Sequence, residues 1–172
     1  MHPVAVVLAD EEHGVELLGN SVEQLAVGPL VLAPLAGGFV VLTFEVARDP
    51  ACYLHLINCL AAYNCWATEA GFVSGSVYDG RLSYEERDHF DGRETYQSAP
   101  ALYNLGTGDC ADLVAARCAE PIVFRAGGEP HLGLSRIKPG GSRVYHAVVR
   151  YPDGTTEDPS SHLGMPTRAA AV

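Results

Sequence analysis

Gly108-Asp109-Cys110-Ala111-Asp112-Leu113 reads as a turn that becomes a helix. Asp109 suits the N-cap, because its short carboxylate accepts from first-turn N–H groups that have no partner within the helix. Asp112, at the third helical position, adds negative charge where the helix dipole is positive. Cys110 then takes the first helical position. The positive helix end lowers a thiol pKa there, and the backbone N–H of Cys110 has no acceptor within the helix, which suits it to an oxyanion. His146 follows in the apolar run Val144-Tyr-His-Ala-Val-Val149, and Asp158 in Glu157-Asp158-Pro159. Cysteine, histidine and carboxylate in that order are the parts of a thiol nucleophile, its base and the group that orients the base.

The segment between His146 and Asp158 carries its own geometry. Tyr151-Pro152-Asp153-Gly154-Thr155 is turn chemistry, with proline preset for a type I turn and glycine for the left-handed bulge residue. A three-residue loop puts Tyr151 opposite Thr155, Val148 opposite Asp158 and His146 opposite Ser160. Asp158 then lies diagonal to His146 on one face, and Glu157 lies on the other. A two-residue Asp-Gly loop would put Asp158 on the wrong face, and the proline favours the three-residue version.

Working outward, the Cys110 helix has two readings, because Pro121 interrupts the face formed by Cys110, Val114, Cys118 and Ile122. It ends near Glu120 with a strand over Ile122–Phe124, or it continues, bent, to Arg125 and stops at Gly127-Gly128. The glycine pair is the better stop signal and favours the bent helix. A strand over His131–Ile137, a turn at Lys138–Ser142 and a strand over Arg143–Tyr151 follow. Upstream, Asp49-Pro50 starts a helix that runs to about Ala70 and stops at Gly71. Its apolar residues cover most of the circumference, which predicts a central buried helix with Cys52, Cys59 and Cys65 as small core residues. Residues 1–48 read as short strands at Val4–Leu8, Val15–Leu18, Pro29–Leu32 and Phe39–Val46. Phe72–Leu105 reads as a long polar loop, either solvated or forming a cleft wall or docking surface.

The 172 residues suffice for one compact domain, and 48% apolar with 19% charged residues is a folding composition. A net charge of −10, with Lys138 the single lysine, excludes nucleic acid and anionic membrane as main partners. Five cysteines without a CxxC pair predict a reducing compartment and no disulfide framework. No zinc-ligand spacing occurs, so no metal and no cofactor are expected. The N-terminus lacks a basic stretch, so no signal peptide is expected. Leu25–Phe44 is an uncharged run of 20 residues, long enough to span a bilayer, but its prolines, glycines and alternation fit two strands joined by a turn.

The chain resembles the transglutaminase-like superfamily, distantly similar to papain-like cysteine peptidases, over about residues 95–165. Gly108-Asp-Cys-Ala-Asp-Leu113 opening a helix, His146 in Tyr-His-Ala-Val-Val and Asp158 in the next strand carry the likeness. Within that superfamily it is similar to small phage and prophage proteins, through Thr156-Glu-Asp-Pro-Ser-Ser-His-Leu-Gly-Met165. The resemblance implies an α+β fold, a nucleophile helix packed on an antiparallel sheet, over residues 49–172. A strand-rich segment, 1–48, precedes it as a possible docking surface. It also implies Cys110 as nucleophile, His146 as base and Asp158 as orienter. Tyr96-Gln97 stands where such proteins often carry a tryptophan, so the second oxyanion donor is Gln97 or Asn104, with Asn104 favoured by its place six residues before the cysteine.

The expected function is a thiol-dependent acyl-transfer enzyme, a cysteine peptidase or amidase acting on a peptide or protein. The competing expectation is a structural or assembly component of a phage tail or contractile injection particle that keeps the fold and binds other particle subunits. Localisation is then cytoplasmic or within such a particle, without a transmembrane helix. A redox-sensing thiol is disfavoured, because Cys118 is poorly placed to resolve Cys110.

Overall fold

The computed structural model describes residues 2–8, 31–35, 39–46, 49–86, 94–137 and 143–166. These residues form an α+β fold. Strands β1 (His2–Leu8), β2 (Val31–Leu35) and β3 (Phe39–Val46) come first, then helix α1 (Pro50–Glu69). Next are β4 (Ser83–Tyr84), β5 (Glu94–Gln97), α2 (Ala99–Leu105), β6 (Thr107–Gly108), α3 (Cys110–Cys118) and α4 (Pro121–Arg125). The chain continues through β7 (Glu129–Ile137), β8 (Arg143–Arg150), β9 (Thr156–Glu157) and α5 (Pro159–His162).

The uncharged run around 25–44 contains an antiparallel hairpin, with Val31 opposite Thr43 and Leu35 opposite Phe39. The described pairing runs from Val31; Pro29 and the expected strand at Val15–Leu18 lie outside the described residues. Strand β1 sits between β3, antiparallel, and β5, parallel, giving the order β2-β3-β1-β5. The N-terminal strands therefore share a sheet with the segment that leads into α2 and the Cys110 helix. Among the described residues, no helix is long and apolar enough to cross a membrane.

Helix α1 starts as Asp49-Pro50 predicts, with the Asp49 side chain accepting from the Ala51 N–H at 2.9 Å. It is not buried all round. Ala51, His55, Asn58 and Ala62 form an exposed stripe, while Leu56, Ile57, Leu60, Tyr63 and Ala67 face inward. Cys52, Cys59 and Cys65 are half-buried at the margins of that face rather than in the core. The central helix is α3, where every residue from Ala111 to Ala116 is buried. One flank of α3 packs with α1 and the β7–β8 strands around Ile57, Tyr63, Val114, Cys118, Ala147 and Val149. The other packs with Val77, Leu82 and Leu102. Small side chains, three alanines in a helix of nine residues, allow neighbours to close on both flanks.

The helical path does run to Arg125 and stop at Gly127, in the left-handed conformation with φ 73°, but as two helices rather than one bent one. The helix stops at Cys118, and the N–H groups of Ala119 and Glu120 bond back to Ala116 and Arg117. Pro121, which has no N–H to continue the ladder, starts the separate helix α4 instead of kinking α3. Because the chain turns there, Ile122 leaves the Cys110–Val114–Cys118 face and is 70% exposed, while Val123 is buried. Phe72–Leu105 is likewise not one long loop. It contains β4, β5 and α2, with Val77 and Leu82 buried. Ser98 gives α2 no side-chain cap, and Asn64 of α1 supplies the acceptor instead, taking the Ala99 N–H at 2.7 Å.

Candidate active site

The start of α3 has the predicted cap. Asp109 Oδ1 accepts from the N–H groups of Ala111 (2.8 Å) and Asp112 (3.2 Å), and Asp112 Oδ2 accepts from the Asp109 N–H (3.2 Å). This reciprocal capping box makes Cys110 the first helical residue, half-buried at the positive helix end. Asp112 reaches further than the motif implied. Its Oδ1 accepts the Gln97 N–H at 2.6 Å, joining β5 to the first turn of α3. Gly108 is needed for this approach, because a Cβ there would collide with Leu102 and lie 3.1 Å from the Asp112 Cβ.

Strand β8 carries His146 along α3. Ala147 and Val149 are buried in the core shared with α3, and His146 beside them is half-buried. The turn after β8 is the three-residue loop. Tyr151 N–H bonds to Thr155 O at 2.9 Å, Gly154 has φ 86°, and Val149 pairs with Glu157. The ladder ends there, so Asp158 does not pair opposite Val148, nor Ser160 opposite His146. Pro159 turns the chain into α5 with Asp158 as its N-cap. Asp158 Oδ1 accepts the Ser161 N–H at 3.2 Å, and its Oδ2 lies 3.0 Å from His146 Nε2.

Two consequences follow from the short β9. The Asp158 carboxylate is held by a helix cap rather than by a sheet ladder. Pairing to β9 covers Val149 and Arg150, and among the described residues no strand pairs with β8 beside His146 on that side. The structure thus brings His146 and Asp158 together and places Cys110 at the end of the helix that packs on the same strand. With Nε2 on the carboxylate, Nδ1 is the ring nitrogen left to accept a proton.

The two oxyanion candidates are separated by burial. Gln97 is fully buried, and its side-chain oxygen and nitrogen have no partner among the described residues. A donor sealed in the core does not meet a substrate arriving from solvent. Asn104 is exposed near the end of α2.

One group of residues was not anticipated. Glu157, on the face opposite Asp158, accepts from Arg117 Nε (2.7 Å), Tyr151 OH (2.5 Å) and Tyr78 OH (2.5 Å). Arg117 also pairs with Glu120, and its guanidinium lies 4.8 Å from the Tyr78 ring centre. Glu120 in turn accepts from Ser76 Oγ and, at 2.7 Å, from the Val77 N–H. Burial alone would raise the Glu157 pKa, but the hydrogen bonds from Arg117, Tyr151 and Tyr78 outweigh it and hold the carboxyl below its ordinary value. Burial and the same carboxylate push Tyr151 up to about 12. The signal was present in the sequence: the register that turns Asp158 toward His146 turns Glu157 toward the helix. A carboxylate facing a buried helix needs a cation, and Arg117 is the basic residue of α3.

An open groove of about 420 Å³, lined by Ala126, Tyr151, Pro152, Asp153 and Thr155, lies at the hairpin turn, the opposite end of β8 from Arg143. Among the described residues, no group of His, Cys, Asp and Glu side chains is arranged to hold a metal ion. Comparison of the chain with protein-family models, curated proteins and solved structures finds no match.

Proposed function

We propose that the protein is a thiol-dependent acyl-transfer enzyme, a cysteine peptidase or amidase with a transglutaminase-like core. Cys110 is the nucleophile, His146 the base and Asp158 the orienter. The observation that carries this reading is the 3.0 Å contact between His146 Nε2 and Asp158 Oδ2 on the strand that packs along the Cys110 helix.

His146 Nδ1 takes the thiol proton, and the sulfur attacks the carbonyl carbon of a peptide or protein. The imidazolium returns the proton to the departing amine, leaving a thioester on Cys110. Water, deprotonated by His146, then releases the acid and the free thiol. Asp158 stabilises the imidazolium at both stages, and its second oxygen, tied to the Ser161 N–H, restrains the carboxylate.

The test is the pH dependence of Cys110 alkylation by iodoacetamide, read by peptide mass, in the native protein and in His146→Ala. A thiolate held by an imidazolium labels rapidly below pH 7, and the substitution slows this by tenfold or more. An ordinary thiol profile that ignores the substitution would refute the assignment.

Exposed apolar side chains support a second reading, a particle component that keeps the fold. Ile122 (70% exposed) and Phe124 (63%) project from α4, which leads into the groove at Ala126. That reading predicts an unreactive Cys110 and loss of assembly, not of chemistry, when both residues become polar.

A further inference from the structure

We infer that Arg117 and Glu157 are positioning residues of the thiol site, tying the nucleophile helix to the strand end that presents the orienting carboxylate. This inference rests on the Cys110–His146–Asp158 reading. Arg117 lies seven residues after Cys110 on α3, about 10 Å along the axis at roughly 1.5 Å per residue. Glu157 immediately precedes Asp158. Its partner Val149 stands three residues from His146, about 10 Å along β8 at roughly 3.3 Å per residue. The tie therefore stands at similar distances from the nucleophile and from the base, and joins the two elements that carry them.

The rest of that interface cannot do the same work. α3 meets β8 through Val114, Cys118, Ala147 and Val149, and apolar contacts of this kind are non-directional. Sliding or rocking of the helix changes them little. The Arg117 fork is directional. Nε lies 2.7 Å from one Glu157 oxygen and a terminal nitrogen 3.5 Å from the other, with only 14% and 18% of the two side chains exposed. Tyr151, at the base of the same hairpin, and Tyr78, from the segment between α1 and β4, hold the same carboxylate, so Glu157 does not simply follow the helix if it moves. A displacement near 1 Å between nucleophile and base costs on the order of 10²-fold in rate, so a directional tie at this place has a direct chemical consequence.

The experiment is the iodoacetamide pH profile of Cys110 in the intact protein and in Glu157→Gln, Arg117→Lys, His146→Ala and Asp49→Ala. Asp49→Ala removes the remote α1 cap and is a control for loss of stability alone. The expected result is a rapid limb below pH 7 in the native protein and in Asp49→Ala. It falls about tenfold in Glu157→Gln and Arg117→Lys while circular dichroism shows both folded. If Glu157→Gln does not fold, Arg117→Lys, which keeps the charge and loses the fork, decides the matter. A rapid limb that His146→Ala removes but the folded Glu157 and Arg117 variants keep would overturn the positioning role and leave the triad standing. No rapid limb in the native protein would overturn both.

Discussion

Asp112→Ala tests whether α3 is anchored as its capping box indicates. Asp112 is fully buried, and its two oxygens accept the N–H groups of Gln97 at 2.6 Å and Asp109 at 3.2 Å. Alanine leaves both donors buried without that acceptor, at about 1–3 kcal/mol each. It also removes a favourable charge–dipole interaction worth about 0.5 kcal/mol. Relief from burying a carboxylate offsets part of this, so the expected net loss is about 3 kcal/mol. Asparagine keeps one acceptor oxygen, but its amide nitrogen meets a donor at the other site, so it loses one bond and the charge, about 1.5 kcal/mol. Urea denaturation followed by circular dichroism measures both. With a slope near ~2 kcal/mol/M, Asp112→Ala lowers the midpoint by about 1.5 M and Asp112→Asn by about half that. The reasoning fails if alanine costs under about 0.5 kcal/mol, or if asparagine costs more than alanine.

Two glycines should respond in opposite directions. A Cβ at Gly133, opposite His146 on β7, meets nothing, so Gly133→Ala should stabilise the strand by about 0.5–1 kcal/mol, whereas Gly108→Ala must displace Leu102 or Asp112 and should cost about 1–3 kcal/mol. Thermal melts of the two variants check the pair, and equal effects would contradict the packing around the α3 cap. Burial pushes the Cys118 thiol up to about 12, with the nearby Cys65 adding to the shift. The folded state therefore binds this proton more tightly than the unfolded chain, and its contribution to stability is lost as pH rises past the ordinary thiol value. Mass spectrometry should find Cys118 the last cysteine labelled at pH 8, at the rate of global unfolding, and prompt labelling in the folded protein would contradict its burial.

Much of the candidate site was legible because it depends on short-range backbone chemistry. Asp49 and Asp109 each announce a helix start, since an N-cap needs only a short acceptor and the next N–H groups. Tyr151-Pro-Asp-Gly-Thr155 sets a loop length, and the loop length sets which of Glu157 and Asp158 faces His146. Pro121 was recognised as a break, but whether the chain bends, strands or restarts there depends on what Val123 can bury against, and that is not local.

By itself, then, the sequence determined the start of the Cys110 helix, the β8–β9 register and the pairing of Asp158 rather than Glu157 with His146. Each follows from conformational preferences within a few residues. Tertiary structure alone decided that α3 rather than α1 is the central helix, because small side chains matter only once both flanks are covered. It also decided that Asp158 works from a helix cap, because β9 ends where Pro159 turns the chain. The bonds from Gln97 to Asp112 and from Arg117 to Glu157 depend on long-range packing too, since each partner's burial is set by elements distant in the chain.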